Sequence, residues 1–91
     1  MSQIPISTLK GLGPKSQSLL KSIGIESAEQ VLASDPFGLY LQLKAQHNNI
    51  NLNMLYALMG AIENKDWREI KRNYRTSILL RLDELNNPLY R

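Results

Sequence analysis

Residues 9–16, Leu9-Lys10-Gly11-Leu12-Gly13-Pro14-Lys15-Ser16, constrain the fold of this chain more than any other stretch. Two glycines flank a leucine, and a proline follows at once. Glycine admits the positive φ values that a sharp reversal demands, so both Gly11 and Gly13 are expected to adopt them. Proline suits the first position of a helix, where its missing N–H is no loss. The segment therefore predicts a hairpin that delivers the chain into a helix beginning at Pro14. The N–H groups of that first turn and the positive end of the helix face open space beside Lys15, an arrangement that seats a phosphate. The alternative gives the glycines a geometric task alone, in a tight turn between two helices. The residues leave both readings open.

The rest of the chain reads as helix. No segment alternates apolar and polar residues for long, and β-branched residues are sparse. Ile6 and Leu9 predict a short first helix over 6–10, ended by the glycines. A second runs from Pro14 to about Ile23, with Leu19, Leu20 and Ile23 inward and Gly24 as its stop. Ser27-Ala28-Glu29-Gln30 has the spacing of a capping box and opens a third helix with Val31 and Leu32 in the core. Asp35-Pro36 is a cap followed by proline at the first helical position. It opens a fourth helix to about Gln46 that turns Phe37, Tyr40, Leu41 and Leu43-Lys44 to one face. His47 to Asn51 is polar and loop-like. Leu52 to Glu63 is apolar nearly all round, which places it at the centre of a bundle. Gly60 inside it costs about 1 kcal/mol against alanine and predicts close approach by another helix. Asp66-Trp67-Arg68-Glu69 repeats the capping-box spacing and opens a last helix to about Leu85, with Trp67, Ile70, Tyr74, Ile78, Leu82 and Leu85 on one stripe. The expectation is one all-α domain over residues 1–91, a small bundle of five to six helices around a hairpin motif.

Charge is unevenly placed. The formal net charge of the 91 residues is only +3. Residues 1–25 carry Lys10, Lys15 and Lys21 with no acid, and residues 65–81 carry six cations against Asp66 and Glu69. Between them, Lys44 stands against Glu26, Glu29, Asp35 and Glu63, so two basic segments bracket an acidic middle. Arg68, Arg72 and Arg75 fall at i, i+4 and i+7 and share one side of the last helix. They form either a phosphate-contacting ridge or an ordinary solvated face whose stems cover apolar surface.

Several chemistries find no support. There is no cysteine, so disulfides and thiolate chemistry are excluded. His47 is the single histidine and has no acid at ligand spacing, so neither a metal site nor a catalytic base is expected there. No carboxylates are spaced as an acid–base pair, no loop matches a nucleotide motif, and the serines lack an evident base. The aromatic residues and Met54 and Met59 read as core. No apolar run approaches the length of a membrane span, and the N-terminus has no signal-like pattern. The chain is expected to be cytoplasmic, without cofactor, metal, catalytic residues or membrane association.

The hairpin residues, with Leu9 before them and Leu19-Leu20 after, resemble the helix-hairpin-helix motif, whose members often hold a nucleic-acid backbone with this loop. Two landmarks together carry a narrower resemblance. Leu12-Gly13-Pro14-Lys15-Ser16 precedes Leu55-Tyr56-Ala57-Leu58-Met59-Gly60-Ala61, and Trp67 follows shortly after. Over about residues 6–85 this is similar to the C-terminal domain of the TfoX/Sxy family, bacterial regulators of natural competence. The resemblance implies a helix-hairpin-helix-like bundle tied to transcription of DNA-uptake genes in concert with the cyclic-AMP receptor protein. It also implies a further N-terminal domain in full-length members, so these residues stand either alone or as one part of a longer chain. Gly11, Gly13, Pro14 and Lys15 correspond to the hairpin positions. Gln17 stands where the motif usually has alanine, which predicts looser or shifted packing of the hairpin helices. Two partner classes follow. One is DNA, bound through its backbone with weak sequence preference by Lys10, Gly11, Leu12, Gly13, Lys15, Arg68, Arg72 and Arg75. The other is a protein, either a transcription factor or a second copy.

Overall fold

The computed structural model describes residues 4–86 and is all-helical over them. A 3-10 turn, Ile6–Thr8, leads through the hairpin to α1 (Pro14–Lys21), α2 (Ala28–Ala33), α3 (Pro36–Gln46), α4 (Leu52–Glu63) and α5 (Trp67–Asn86). The predicted first helix is thus a single tight turn: Leu9 N–H closes on the Ile6 carbonyl at 2.9 Å and the backbone then extends. A segment this short gives up the nucleation cost of an α-helix without the propagation that repays it.

Each helix from α2 onward starts on a side chain of its own. The Ser27 hydroxyl accepts from Gln30 N–H, and the Gln30 side chain accepts from Ser27 N–H, so the predicted capping box is complete. Asp35 accepts from Phe37 N–H, and Asn51 accepts from Asn53 N–H. Asp66 caps α5 through Arg68 N–H at 2.8 Å, one residue short of the expected partner, and the return bond from the Glu69 side chain does not form. Two helix ends, those of α1 and α4, use left-handed residues. Gly24 has φ +87°, with Ile25 N–H reaching back to the Leu20 carbonyl at 2.9 Å; Asn64 has φ +57°, with Lys65 N–H reaching the Gly60 carbonyl at 2.8 Å. Both are Schellman closures, which satisfy carbonyls a bare helix end would leave orphaned.

α4 sits at the centre, packed on α2, α3 and α5, while α1 packs on the 3-10 turn and α3. Leu55, Leu58, Leu20, Leu43, Val31 and Ile70 are fully buried, and Tyr56, Ile78 and Leu82 join them. This matches the reading of Leu52–Glu63 as a helix without a solvent face. Two side-chain expectations fail. Leu32 is 48% exposed, and Ala28 and Val31 make the inner face of α2 instead; six residues are too few for periodicity to settle which of two adjacent apolar residues points inward. On α3 the buried set is Leu39, Tyr40 and Leu43, with Phe37 and Leu41 half-buried and Lys44 exposed. Gly60 is needed, but not for a crossing helix: a Cβ there would lie 2.6 Å from the Lys65 carbonyl oxygen and 3.4 Å from Trp67 N. What approaches is the turn that folds α5 back over the end of α4. The chain's start is tied in as well, with Ala28 N–H bonded to the Ile4 carbonyl at 2.8 Å and Ile4 N–H to a Glu29 carboxylate oxygen at 3.1 Å.

Candidate nucleic-acid interface

The hairpin is built by one left-handed residue, not two. Gly11 has φ +83°, whereas Gly13 lies at φ −84° and ψ −174° as the extended residue before α1. Pro14 follows as the first helical residue, as expected. The reversal is complete after Gly11, and Gly13 only has to extend the chain into the helix, which an L-residue could also do. Between them Leu12 is 4% exposed and joins the core. Its side chain anchors the loop from beneath, so only its backbone remains available to a ligand. Lys10 and Lys15 are both exposed on either side of the turn.

Gln17 does more than fill the position usually held by alanine. Its side-chain amide donates to the Leu12 carbonyl at 3.3 Å while the residue is half-buried. α1 is thereby bonded to the loop that precedes it by the longer side chain itself. Ser16 faces the other way, with its hydroxyl against the Met54 sulfur at 3.9 Å, and so meets α4.

The start of α1 differs from those of the other α-helices. No side chain caps it, and its first turn, like those of α3 and α4, holds no acid. Pro14 has no N–H, and Gln17 N–H bonds the Gly13 carbonyl at 3.0 Å. The Lys15 and Ser16 N–H groups are left at the positive helix end with a lysine side chain beside them. Backbone donors in this setting are satisfied by water or by an anion. Among the described residues the one ion pair joins Lys65 to Glu63 at 3.7 Å, so neither hairpin lysine is neutralised by a carboxylate.

The second basic segment is elsewhere. Arg68, Arg72 and Arg75 are all exposed on α5, as their spacing predicts, and Arg68 also lies over the Trp67 ring, 5.5 Å from its centroid. α5 packs chiefly on α4, and α1 chiefly on the 3-10 turn and α3, so hairpin and ridge sit on different neighbours, with α4 between them through the Ser16–Met54 contact.

One pairing escaped sequence reasoning. His47 Nε2 lies 3.1 Å from the Ser22 hydroxyl oxygen, linking the α3–α4 loop to the end of α1. The Ser22 hydroxyl donates to the Leu19 carbonyl, and no carboxylate bonds the imidazole, so the pair lacks the arrangement of an activated nucleophile. Among the described residues no group of three or more His, Asp or Glu could hold a metal, and no helix is long and apolar enough to cross a membrane.

Five helices entered through a Gly-x-Gly-Pro hairpin and centred on an apolar helix with a glycine near its end make a small all-α bundle, with a 3-10 turn where the first helix of a helix-hairpin-helix motif would stand. The model of the TfoX C-terminal domain family matches residues 3–82, and the chain belongs to that family. Comparison with curated proteins and with solved structures found no match.

Beside the hairpin lie residues that the sequence reading passed over. A depression of about 280 Å³ opens between α1 and the start of α4, lined by Lys15 and Ser16 on one side and Asn49, Asn51 and Asn53 on the other. The available signal was compositional: four of the six residues from 48 to 53 are asparagine. A loop needs one such residue as a cap, and Asn51 serves as that.

Proposed function

We propose that this domain is a non-enzymatic regulatory module that holds the DNA backbone through its hairpin, in the setting of competence-linked transcription that the family resemblance implies. The observation that carries the reading is the uncapped start of α1. Four α-helices begin on a Ser, Asp or Asn side chain of their own, while the one behind the hairpin begins on glycine and proline, with two unpaired N–H groups and Lys15 exposed beside them. A phosphate oxygen supplies what the missing cap would. Contacts of this kind carry no base information, so binding is weak in sequence preference and falls steeply with salt. The ridge of Arg68, Arg72 and Arg75 adds long-range attraction.

Fluorescence anisotropy with a labelled mixed-sequence duplex at two salt concentrations tests this. Micromolar binding at low salt, lost in Lys15→Glu, is expected. A wild-type domain that shows no binding at high micromolar concentration in low salt removes the reading.

A protein-docking role is the second reading. It is supported by Leu79 and Leu80 on α5, 40% and 61% exposed. Sedimentation of the isolated domain and capture with a candidate transcription factor would address it, and a strict monomer that captures nothing would count against it.

A further inference from the structure

We infer that a DNA backbone seated on the hairpin continues across the first turn of α4 to Lys44, along a trough that no carboxylate of the described residues lines. This rests on the hairpin reading and extends it to residues in the middle of the sequence.

Three surface depressions adjoin one another. The first, beside Lys15 and Ser16, shares Ile50 and Asn53 with a second of about 450 Å³, which in turn shares Lys44 and Leu52 with a third of about 260 Å³. Through these shared residues they follow one another from α1, over the α3–α4 loop, to a largely apolar depression between α3 and α5, where Leu41, Leu79 and Leu82 stand beside Lys44. The chain has eight acidic residues, yet none lines any of the three, although the 26–64 stretch that supplies most of the furrow is acidic overall. The acids of that stretch lie away from it, and its one cation lines it.

The donors are graded along this path. Lys15 and Ser16 stand at the hairpin end. Asn49 and Asn53 follow, both exposed, each with an amide that donates to phosphate or sugar oxygens without reading a base. At the far end Lys44 meets, among the described residues, only the uncharged Tyr40, its ammonium 3.4 Å from the hydroxyl and 5.6 Å from the ring centroid. The pairing positions the ammonium without neutralising it. Arg68, Arg72 and Arg75 line none of these depressions. The track therefore leaves the hairpin by way of α4, and the α5 ridge contributes through space.

The test uses the whole chain and a labelled 20-base-pair duplex, titrated at several salt concentrations with Lys15→Glu, Lys44→Gln, Asn53→Asp and the double variant Arg72→Gln/Arg75→Gln. Asn53→Asp is informative because an acid in the first turn of α4 favours the helix dipole. Its melting temperature should hold or rise while its DNA affinity falls several-fold. Lys44→Gln should lower affinity and reduce the slope of log K against log salt by about 1. If Lys15→Glu weakens binding and both Lys44→Gln and Asn53→Asp bind as wild type does, the track is overturned and the hairpin contact stands. If the Arg72/Arg75 variant loses affinity while Lys44→Gln binds as wild type does, the backbone runs along α5 and the track is again overturned. If Lys15→Glu binds like wild type, the hairpin contact fails, and the track that starts from it fails too.

Discussion

Single residues fix the corners of this domain, and two of them make opposite predictions at one helix end. Gly60 lies under the turn that leads into α5, where a methyl group would sit 2.6 Å from a backbone oxygen. Backbone cannot rotate aside as a side chain can. Gly60→Ala should therefore destabilise by about 1–3 kcal/mol through overpacking, even though alanine in a free helix would gain about 1 kcal/mol. A thermal melt would show a fall of several degrees, and an unchanged midpoint would mean the turn can lift away. Four residues on, Asn64 already occupies the left-handed region at φ +57°. Asn64→Gly should stay within about 0.5 kcal/mol of wild type, since the relief of a mildly strained φ is offset by the extra freedom glycine gives the unfolded chain. Next to it, Lys65 holds its proton more tightly than an ordinary lysine, chiefly because its ammonium donates to the Tyr74 hydroxyl at 3.4 Å, with the Glu63 and Glu69 charges adding to this. A raised value means the folded state favours the charged form. That contribution is present at neutral pH and is lost as pH rises through the raised value of Lys65. Tyr74→Phe should bring the Lys65 titration, followed by NMR at the side chain, down toward the ordinary lysine range. A titration that does not move would assign the shift to the carboxylates instead.

Helix starts in this chain are local events, and that is why they could be read from the sequence. The Ser27–Gln30 box, the Asp35-Pro36 pair and the Asp66 cap each lie within four residues, so spacing alone locates them. The cost of removing one is calculable on the same terms. Ser27 is buried, and its hydroxyl accepts from Gln30 N–H, so Ser27→Ala should destabilise by about 1–2 kcal/mol, at the upper end for a cap, because the orphaned N–H has little access to water. Chemical denaturation would measure it; a loss below about 0.5 kcal/mol would show that the Gln30 side chain holds the turn alone. What stayed illegible was non-local. The direction of Leu32 depends on which face of a six-residue helix meets α4, and two adjacent apolar residues cannot decide that. The clash that requires Gly60 depends on the exact path of a turn five to seven residues ahead. Gln17 looked like a departure from the motif because its partner, the Leu12 carbonyl, is a backbone atom that no side-chain pattern reveals. The path from Lys15 to Lys44 draws on α1, α3, α4, α5 and the α3–α4 loop, and only the packed bundle brings them side by side.

Across the whole molecule, scaffold and contact surface use different residues. The side chains that hold the bundle together are the fully buried leucines and isoleucines of α1, α3, α4 and α5, while the residues proposed to meet DNA, apart from the buried Leu12 and the half-buried Ser16, are exposed and contribute little packing. Leu58 is the sharper probe of the first set. It is fully buried on the central helix, so Leu58→Ala leaves a cavity that neighbouring helices cannot close without moving one another, at a cost of about 2–5 kcal/mol. A domain of this size has roughly 5–15 kcal/mol to lose, so the midpoint of urea unfolding should fall sharply. Its slope should not change, because the same surface is exposed on unfolding. Lys15 probes the second set. It is exposed, in no ion pair, and its aliphatic stem lines an open furrow. Reversing its charge places an acid at the positive end of α1, which the helix tolerates or favours. Lys15→Glu should therefore keep or slightly raise the melting temperature while DNA affinity collapses, and Leu58→Ala, measured well below its own midpoint, should bind as wild type does. The pair tells a recognition surface carried on a rigid bundle from one that forms only as the bundle rearranges. If Leu58→Ala loses affinity at temperatures where circular dichroism shows it fully folded, the seat is coupled to the core, and the Ser16–Met54 contact between α1 and α4 is the route by which core strain reaches it.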